Sequence, residues 1–181
     1  METTKMNKSK KLDSVYELSL ISRNIILNMS SIGENLKEII EKIISSNYEG
    51  KCIVEGYIKP GSSEIISYSS GLITGDNVSF EVVFQCQICY PVEGMLINCI
   101  AKNITKAGIR AISADEGNGE ENQSPFIVFI AKDHHHMNEY FASIQENTRF
   151  VVKVIGQRFE LNDKYISIIG ELTKQKPNYK K

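Results

Sequence analysis

The sequence lacks any apolar run near the ~18 residues that a membrane-spanning helix requires, so no membrane span is expected. The basic start, M-E-T-T-K-M-N-K-S-K-K, has no apolar segment behind it and does not read as a secretory signal. Both absences point to an intracellular protein. Cysteine is scarce, with four in the chain, and only Cys86 and Cys89 form a C-x2-C pair. A zinc site needs four ligands, Cys52 and Cys99 make no second pair, and positions i and i+3 of a strand face opposite ways. A redox C-x-x-C would open a helix in a βαβ unit, a context missing here. Reduced, buried thiols are expected instead. All three histidines stand in one run, His134-His135-His136, with no Cys or carboxylate cluster spaced to complete a metal shell. Gly117-Asn-Gly119 lacks the Lys and the following helix of a phosphate-binding loop. No nucleophile, base and orienting group stand in a recognisable pattern. These absences predict a non-catalytic chain that needs neither metal nor cofactor.

Arginine is used sparingly, and the net charge of −1 hides an uneven distribution. Residues 1–90 carry 9 Lys+Arg against 11 Asp+Glu, residues 91–173 carry 8 against 11, and the tail from Lys174 adds four lysines. Phosphate affinity comes mainly from Lys and Arg releasing counterions. An acidic segment such as 91–173 is therefore expected to bind nucleic acid weakly, through a few local groups.

Residues 1–14 read as a disordered, Lys-rich arm with too little apolar content to pack. From Val15 to Asn28 the sequence has period-2 stretches of a strand, interrupted at Ser22–Arg23. Ser31-Ile-Gly-Glu34 matches a capping box, and Ile32, Leu36, Ile39, Ile40, Ile43 and Ile44 follow at helical spacing, as a stripe that packs on a core. Three strand candidates come next, at Gly50–Ile58, Glu64–Ile73 and Val78–Tyr90, separated by turns at Lys59–Ser62 and Gly75–Asn77. A strand, a helix and three antiparallel strands predict an α+β layer over 15–90, and Pro91 marks the expected domain boundary.

The segment 91–173 predicts one small all-β barrel. A strand starts at Gly94, a second crosses Gly108 into Ile109, Arg110 and Ala111, and a third runs from Pro125 to Ala131. A short helical connector precedes two closing strands, F-V-V-K-V-I-G-Q-R-F-E-L and K-Y-I-S-I-I-G-E-L. This pattern suits an OB-type barrel, a closed form with no exposed sheet edge that commonly binds single-stranded nucleic acid. The acidic stretch from Ser113 to Ser124 reads as a solvated loop, and 174–181 as a basic tail. Candidate RNA contacts are Lys106, Arg110, Phe129, Lys132, His134, Arg158 and Tyr165, because basic groups track phosphates and aromatic or guanidinium planes stack on bases.

V-E-G-M-L-I-N-C-I-A-K-N-I-T-K-A-G-I-R-A resembles the opening of an S1-type OB domain. With P-F-I-V-F-I-A-K-D-H-H and I-G-Q-R-F-E-L-N-D-K-Y-I-S-I-I-G-E-L, it resembles the family of the seventh subunit of eukaryotic RNA polymerase II, whose archaeal counterpart is called E′. Upstream, I-G-E-N-L-K-E-I-I-E-K-I-I-S-S-N-Y-E-G-K-C is similar to that family's amino-terminal tip domain. The likeness covers roughly 15–172, and the tight closing hairpin and compact length look most like the versions in large DNA viruses. Family membership implies a stalk subunit with no active site of its own. Its tip domain (15–90) docks on the polymerase core and its S1 domain (91–173) contacts emerging RNA. A smaller helical subunit is the usual partner, and the place of action is the nucleus, or host cytoplasm and virion for a virus. An aromatic is common in the family where this chain has Arg110. For the core-facing surface the resemblance and the Gly-bearing turns point to Lys59, Gly61, Ser62, Gly71, Gly75 and Asn77, expected at one end of the sheet or at its rim. A stand-alone S1-domain protein of translation or RNA decay is the alternative.

Overall fold

A computed structural model describes residues 15–114, 124–135 and 139–173. The expected arm at 1–14, most of the acidic stretch (115–123), His136 and the tail at 174–181 lie outside the described residues.

The amino-terminal half is built on two long strands. β1 (Tyr16–Asn28) and β6 (Asn77–Cys89) pair antiparallel along their whole lengths in unbroken register, from Tyr16 opposite Cys89 to Asn28 opposite Asn77. The interruption expected at Ser22–Arg23 is absent. Ser22 pairs with Val83 and donates to the Glu81 carboxylate at 3.1 Å, while Arg23 meets Glu55 at 2.6 Å. A continuous partner ladder carries these polar residues through the strand, as tertiary context overrides local propensity.

The other edge of β6 is shared by short strands. β5 (Leu72–Thr74) takes its start, β4 (Glu64–Tyr68) its middle and β3 (Gly56–Ile58) its end, and β2 (Cys52–Ile53) adds outside β3. The single strand expected over Glu64–Ile73 is thus two. A register shift falls between Ile65 and Ser67, and Gly71 turns the chain at φ +89°, where a Cβ would meet Val78 at 2.7 Å and Phe80 at 2.8 Å. Only glycine combines that φ with that closeness. Gly50–Ile58 likewise splits into a two-strand hairpin.

The helix α1 (Leu36–Tyr48) buries Ile40 and Ile44 against Ile21, Ile25, Val82, Phe84 and Cys86, with Leu36, Ile39, Ile43 and Ile32 packed around them. The apolar stripe is core, as its spacing predicts. The capping box is not formed. Ser31 ends a 3-10 turn at Met29–Ser31, held by the Asn28 side chain accepting from Ser30 N–H at 3.0 Å and by Met29 N–H donating to Asp76 O at 2.9 Å. That anchorage delays the helix to Leu36, with Asn35 at its N-cap making no side-chain bond.

Beyond Cys89 the chain changes sheet. β7 (Leu96–Ile104), β8 (Gly108–Ser113), β9 (Phe126–Ala131), β10 (Arg149–Arg158) and β11 (Ile166–Leu172) close a five-stranded barrel in the order β10-β11-β9-β8-β7. β9 and β11 run parallel and all other neighbours antiparallel, an OB-like arrangement with no edge left open. The connector after β9 is a 3-10 turn (Lys132–His134) and a short helix α2 (Glu139–Ser143).

The barrel interior packs Ile97, Ile109, Phe126, Ile130, Phe150 and Ile166, all essentially inaccessible. That same cluster includes Val15, Tyr16, Cys52, Tyr57 and Cys89 of the first sheet. The seam is also hydrogen-bonded: Cys52 N–H donates to Asp163 O at 2.8 Å and Asn162 N–H donates to Cys52 O at 2.9 Å. The two sheets therefore share one core across the seam. Among the described residues no helix is long and apolar enough to cross a membrane.

Candidate nucleic-acid interface

Strand register sets the outer face of the barrel. Ile109 and Ala111 point inward, so Arg110 between them points out. Arg110 lies opposite Phe129, Phe129 opposite Ile169, Ile169 opposite Gly156, and on the far side Arg110 opposite Asn103. One transverse row, Asn103–Arg110–Phe129–Ile169–Gly156, thus crosses all five strands. Phe129 is 52% exposed although Phe126, Ile127, Val128 and Ile130 of its strand are buried, and nothing lies within 4 Å of where a Gly156 Cβ would stand. An exposed ring with Arg110 and Ile169 as its cross-strand neighbours, and clear space at Gly156, offers a face on which an unpaired base can stack.

Lys106 and Lys132 sit beside this row, where β8 begins and β9 ends. Lys132 follows β9 directly, and its N–H donates to Ala107 O at 3.0 Å, which brings the exposed Lys106 beside it. His134 is exposed in the same turn. Five candidates, Lys106, Arg110, Phe129, Lys132 and His134, therefore share one end of the β8–β9 surface. Arg158 and Tyr165 do not join them. Arg158 pairs with Ser167 and Tyr165 precedes β11, both at the end of the barrel where β9 begins. Arg158 also bonds Glu160 at 3.1 Å.

The sequence pattern alone passes over Ile169 and His135. Ile169 has a visible signal: it falls in phase with Ser167 and Glu171 on the solvent side of β11, an apolar residue where the pattern asks for a polar one. His135 has none. Its ring is buried, stacks on Phe141 at 5.6 Å, and bridges two strand ends. Nε2 accepts from Leu172 N–H at 3.1 Å, so Nδ1 carries the hydrogen and donates to Ala131 O at 2.8 Å. The imidazole continues the β9–β11 connection where the backbone ladder stops, and both its nitrogens are occupied.

The cysteine pair is divided between the cores. Cys86 packs in the helix-side cluster and Cys89 in the barrel cluster, on opposite faces of β6. Burial, with Asp163 nearby, pushes the Cys52 thiol up to about 12. Burial, with Glu49 and Glu55 adding to it, pushes Cys86 up to about 11. Both stay protonated thiols at neutral pH, unsuited to nucleophilic or ligand roles.

The residues expected to face a polymerase core do not gather at one end. Lys59, Gly61 and Ser62 lie near Gln87, whose N–H donates to Ser62 Oγ at 3.1 Å, while Gly75 and Asn77 lie at the start of β6, ten residues away. The turns serve different partners of one long strand, which separates them by ~33 Å of β-rise. The first turn is locked to the end of α1. The Glu49 carboxylate accepts from Gly61 N–H and Ser63 N–H, each at 2.9 Å. Burial alone would raise its pKa, but the bonds from Gly61, Ser63 and Ser45 outweigh this and hold it below the usual value. Lys59 lies over the Tyr16 ring at 4.9 Å, beside the seam.

Fold and surface together define a closed OB-like barrel with a mixed aromatic and basic outer row, fused to an α+β sheet. The chain is similar to a protein of Acanthamoeba polyphaga mimivirus named as a putative DNA-directed RNA polymerase subunit, at 23% identity over 175 residues, covering 88% of this chain and 82% of that protein. No family model matches the sequence.

Proposed function

We propose that this chain is a non-catalytic stalk subunit of a DNA-directed RNA polymerase, docking through its amino-terminal half and touching emerging single-stranded RNA through its barrel. The observation that carries the reading is the similarity to a protein named as a polymerase subunit, which runs through both halves and not the barrel alone. The Arg110–Phe129–Ile169 row supports the RNA role, since such a surface stacks bases without reading their edges. Lys106 and Lys132 would hold phosphates beside it. With few basic groups on an acidic half, affinity is weak and falls with salt. Lys59, Gly61, Ser62, Gly71, Gly75 and Asn77 remain the candidate contacts to the core, with a smaller helical subunit as a further partner. The place of action is that of the polymerase, which for a viral enzyme is host cytoplasm and virion.

The test of the polymerase role is affinity purification of the tagged chain from its native cells, followed by mass spectrometry. The large catalytic subunits are expected in stoichiometric amounts, and their absence with ribosomal or decay factors in their place would replace this reading by the stand-alone one. For RNA, fluorescence anisotropy with a labelled single strand at low salt should give micromolar or weaker binding. Phe129→Ala should weaken it ~5-fold or more, in keeping with base–aromatic stacking.

A further inference from the structure

The chain leaves the barrel beside the aromatic row, at a point held from two sides. β9 and β11 run parallel, so the end of β11 lies with the Lys132 turn. His135 joins the two by its bonds to Leu172 N–H and Ala131 O. Thr173, the next residue, gives Val151 O two bonds, from its N–H at 3.2 Å and its hydroxyl at 3.1 Å. β10 and the β9 turn thus hold Thr173 at the end of the barrel where Lys106 and Lys132 stand. The described residues there carry little surplus charge. Asp133, Glu146 and Glu171 share that end with Lys106, Lys132 and Lys153, and Glu171 lies directly opposite Lys153. Residues 174–181, K-Q-K-P-N-Y-K-K, follow Thr173 with four lysines and no Asp or Glu.

We propose that residues 174–181 are the main phosphate-binding element of the RNA interface, acting on the same RNA strand that stacks on Phe129. This rests on the RNA role proposed above and adds where its binding charge comes from. Phosphate affinity comes from cations that displace counterions, and a surface with its charges balanced displaces few. The four lysines supply the surplus. Eight residues span at most about 29 Å. From Thr173 back to Ile169 is about 13 Å along β11, and the two strands on to Arg110 add about 10 Å. The segment therefore reaches phosphates on either side of a base held at Phe129. Anchorage of Thr173 keeps the lysines at high local concentration beside the row, so one RNA strand can engage both. The acidic stretch 115–123 is the competing partner, but the chain enters and leaves it at the opposite end of the barrel, after β8 and before β9.

The experiment uses the full chain and a labelled oligouridylate of about 12 nucleotides, read by fluorescence anisotropy over a series of salt concentrations. The quadruple variant Lys174→Gln, Lys176→Gln, Lys180→Gln and Lys181→Gln should weaken binding ~10-fold or more at low salt. It should also lower the slope of log affinity against log salt by about 2, from about 0.7 for each of about three phosphates. All four positions lie beyond the last strand, so the melting temperature should stay as in the wild type. Lys37→Gln with Lys42→Gln, on α1 in the other half, should leave the slope unchanged. Photo-cross-linking to RNA carrying thiouridine should label the peptide with Tyr179 as well as the one with Phe129. An unchanged affinity and slope in the quadruple variant, while Phe129→Ala still weakens binding, would overturn this proposal alone. So would an equal loss per lysine in the α1 pair, which would make net charge and not placement the cause. A wild-type chain that binds no RNA at low salt would overturn the RNA role and this proposal together.

Discussion

The barrel and the amino-terminal sheet bury apolar surface in different ways, and the difference locates their outward business. The barrel closes on itself, so each strand has two neighbours and its side chains sort into a sealed interior and an outer face. What it offers outward is a side-chain surface, the row through Arg110, Phe129 and Ile169. The first sheet stays open. One face is covered by α1, the far end of the other meets the barrel, and among the described residues the rest keeps β1 as an edge strand beside an exposed apolar strip. It offers backbone as well as side chains. Closure leaves side chains to face outward, whereas an open edge leaves backbone donors and acceptors as well.

The comparison would break if the two regions proved to be independent folding units. Phe150→Ala empties the middle of the barrel and should cost about 3–5 kcal/mol, and Ile44→Ala under α1 about 2–5 kcal/mol. Because Tyr16, Cys52, Tyr57 and Cys89 belong to the barrel cluster, each variant should lower one common melting transition seen by calorimetry. Two transitions, with each variant moving only its own, would show that the seam does not couple the halves.

A smaller effect separates ladder from side-chain closure in the barrel. His135→Ala leaves Leu172 N–H and Ala131 O without their partner and should cost about 1–3 kcal/mol. Hydrogen exchange should show the Leu172 amide losing protection while the amides of β7 and β8 keep theirs. Uniform loss across the barrel would mean the ring is general packing and not a local link.

Titration probes the open sheet next. The folded carboxyl of Glu49 sits below its unfolded value, so its contribution is present above the unfolded value and lost as pH falls through the folded one. Acid should therefore loosen the Lys59–Ser63 turn, and Glu49→Gln should flatten the acid limb of a stability–pH curve. At the other limb Cys52 and Cys86 have raised values, so their contribution is full below about 9.0 and lost as pH rises toward about 11 to 12. An unchanged acid limb in Glu49→Gln would remove the carboxylate from the account. Least is expected from Arg158→Ala, whose bond to Glu160 is exposed at both ends; no resolvable change in melting temperature should follow.

Much of the barrel was legible from the residues. Strands with buried interiors alternate or run continuously apolar, and Gly108, Pro125 and the I-G-Q-R and I-I-G-E runs bracket them, so β8, β9 and β11 fall close to the expected places. The helix stripe was legible for the same reason, because a 3.6-residue period survives whatever it packs against. Local signals misled where a distant contact prevailed. Ser31 had the right spacing for a cap, but Asp76 and Asn28 hold it in the preceding turn. Ser22–Arg23 looked like a break, but β6 runs unbroken alongside.

By itself the sequence determined which residues could be core, that Cys86 and Cys89 would face opposite ways on a strand, and that acidic groups outnumber basic ones over residues 91–173. These follow from periodicity and charge, which are properties of the chain taken one segment at a time. Only the tertiary structure decided that Arg110, Phe129 and Ile169 form one row, since register across three strands depends on pairing between residues up to 40 apart in sequence. It alone decided that His135, one of three identical neighbours in the chain, is the buried link between β9 and β11 while His134 stays at the surface. And it alone left β1 at an edge, because which strand lacks a second neighbour is a property of the whole sheet and is written in no single segment.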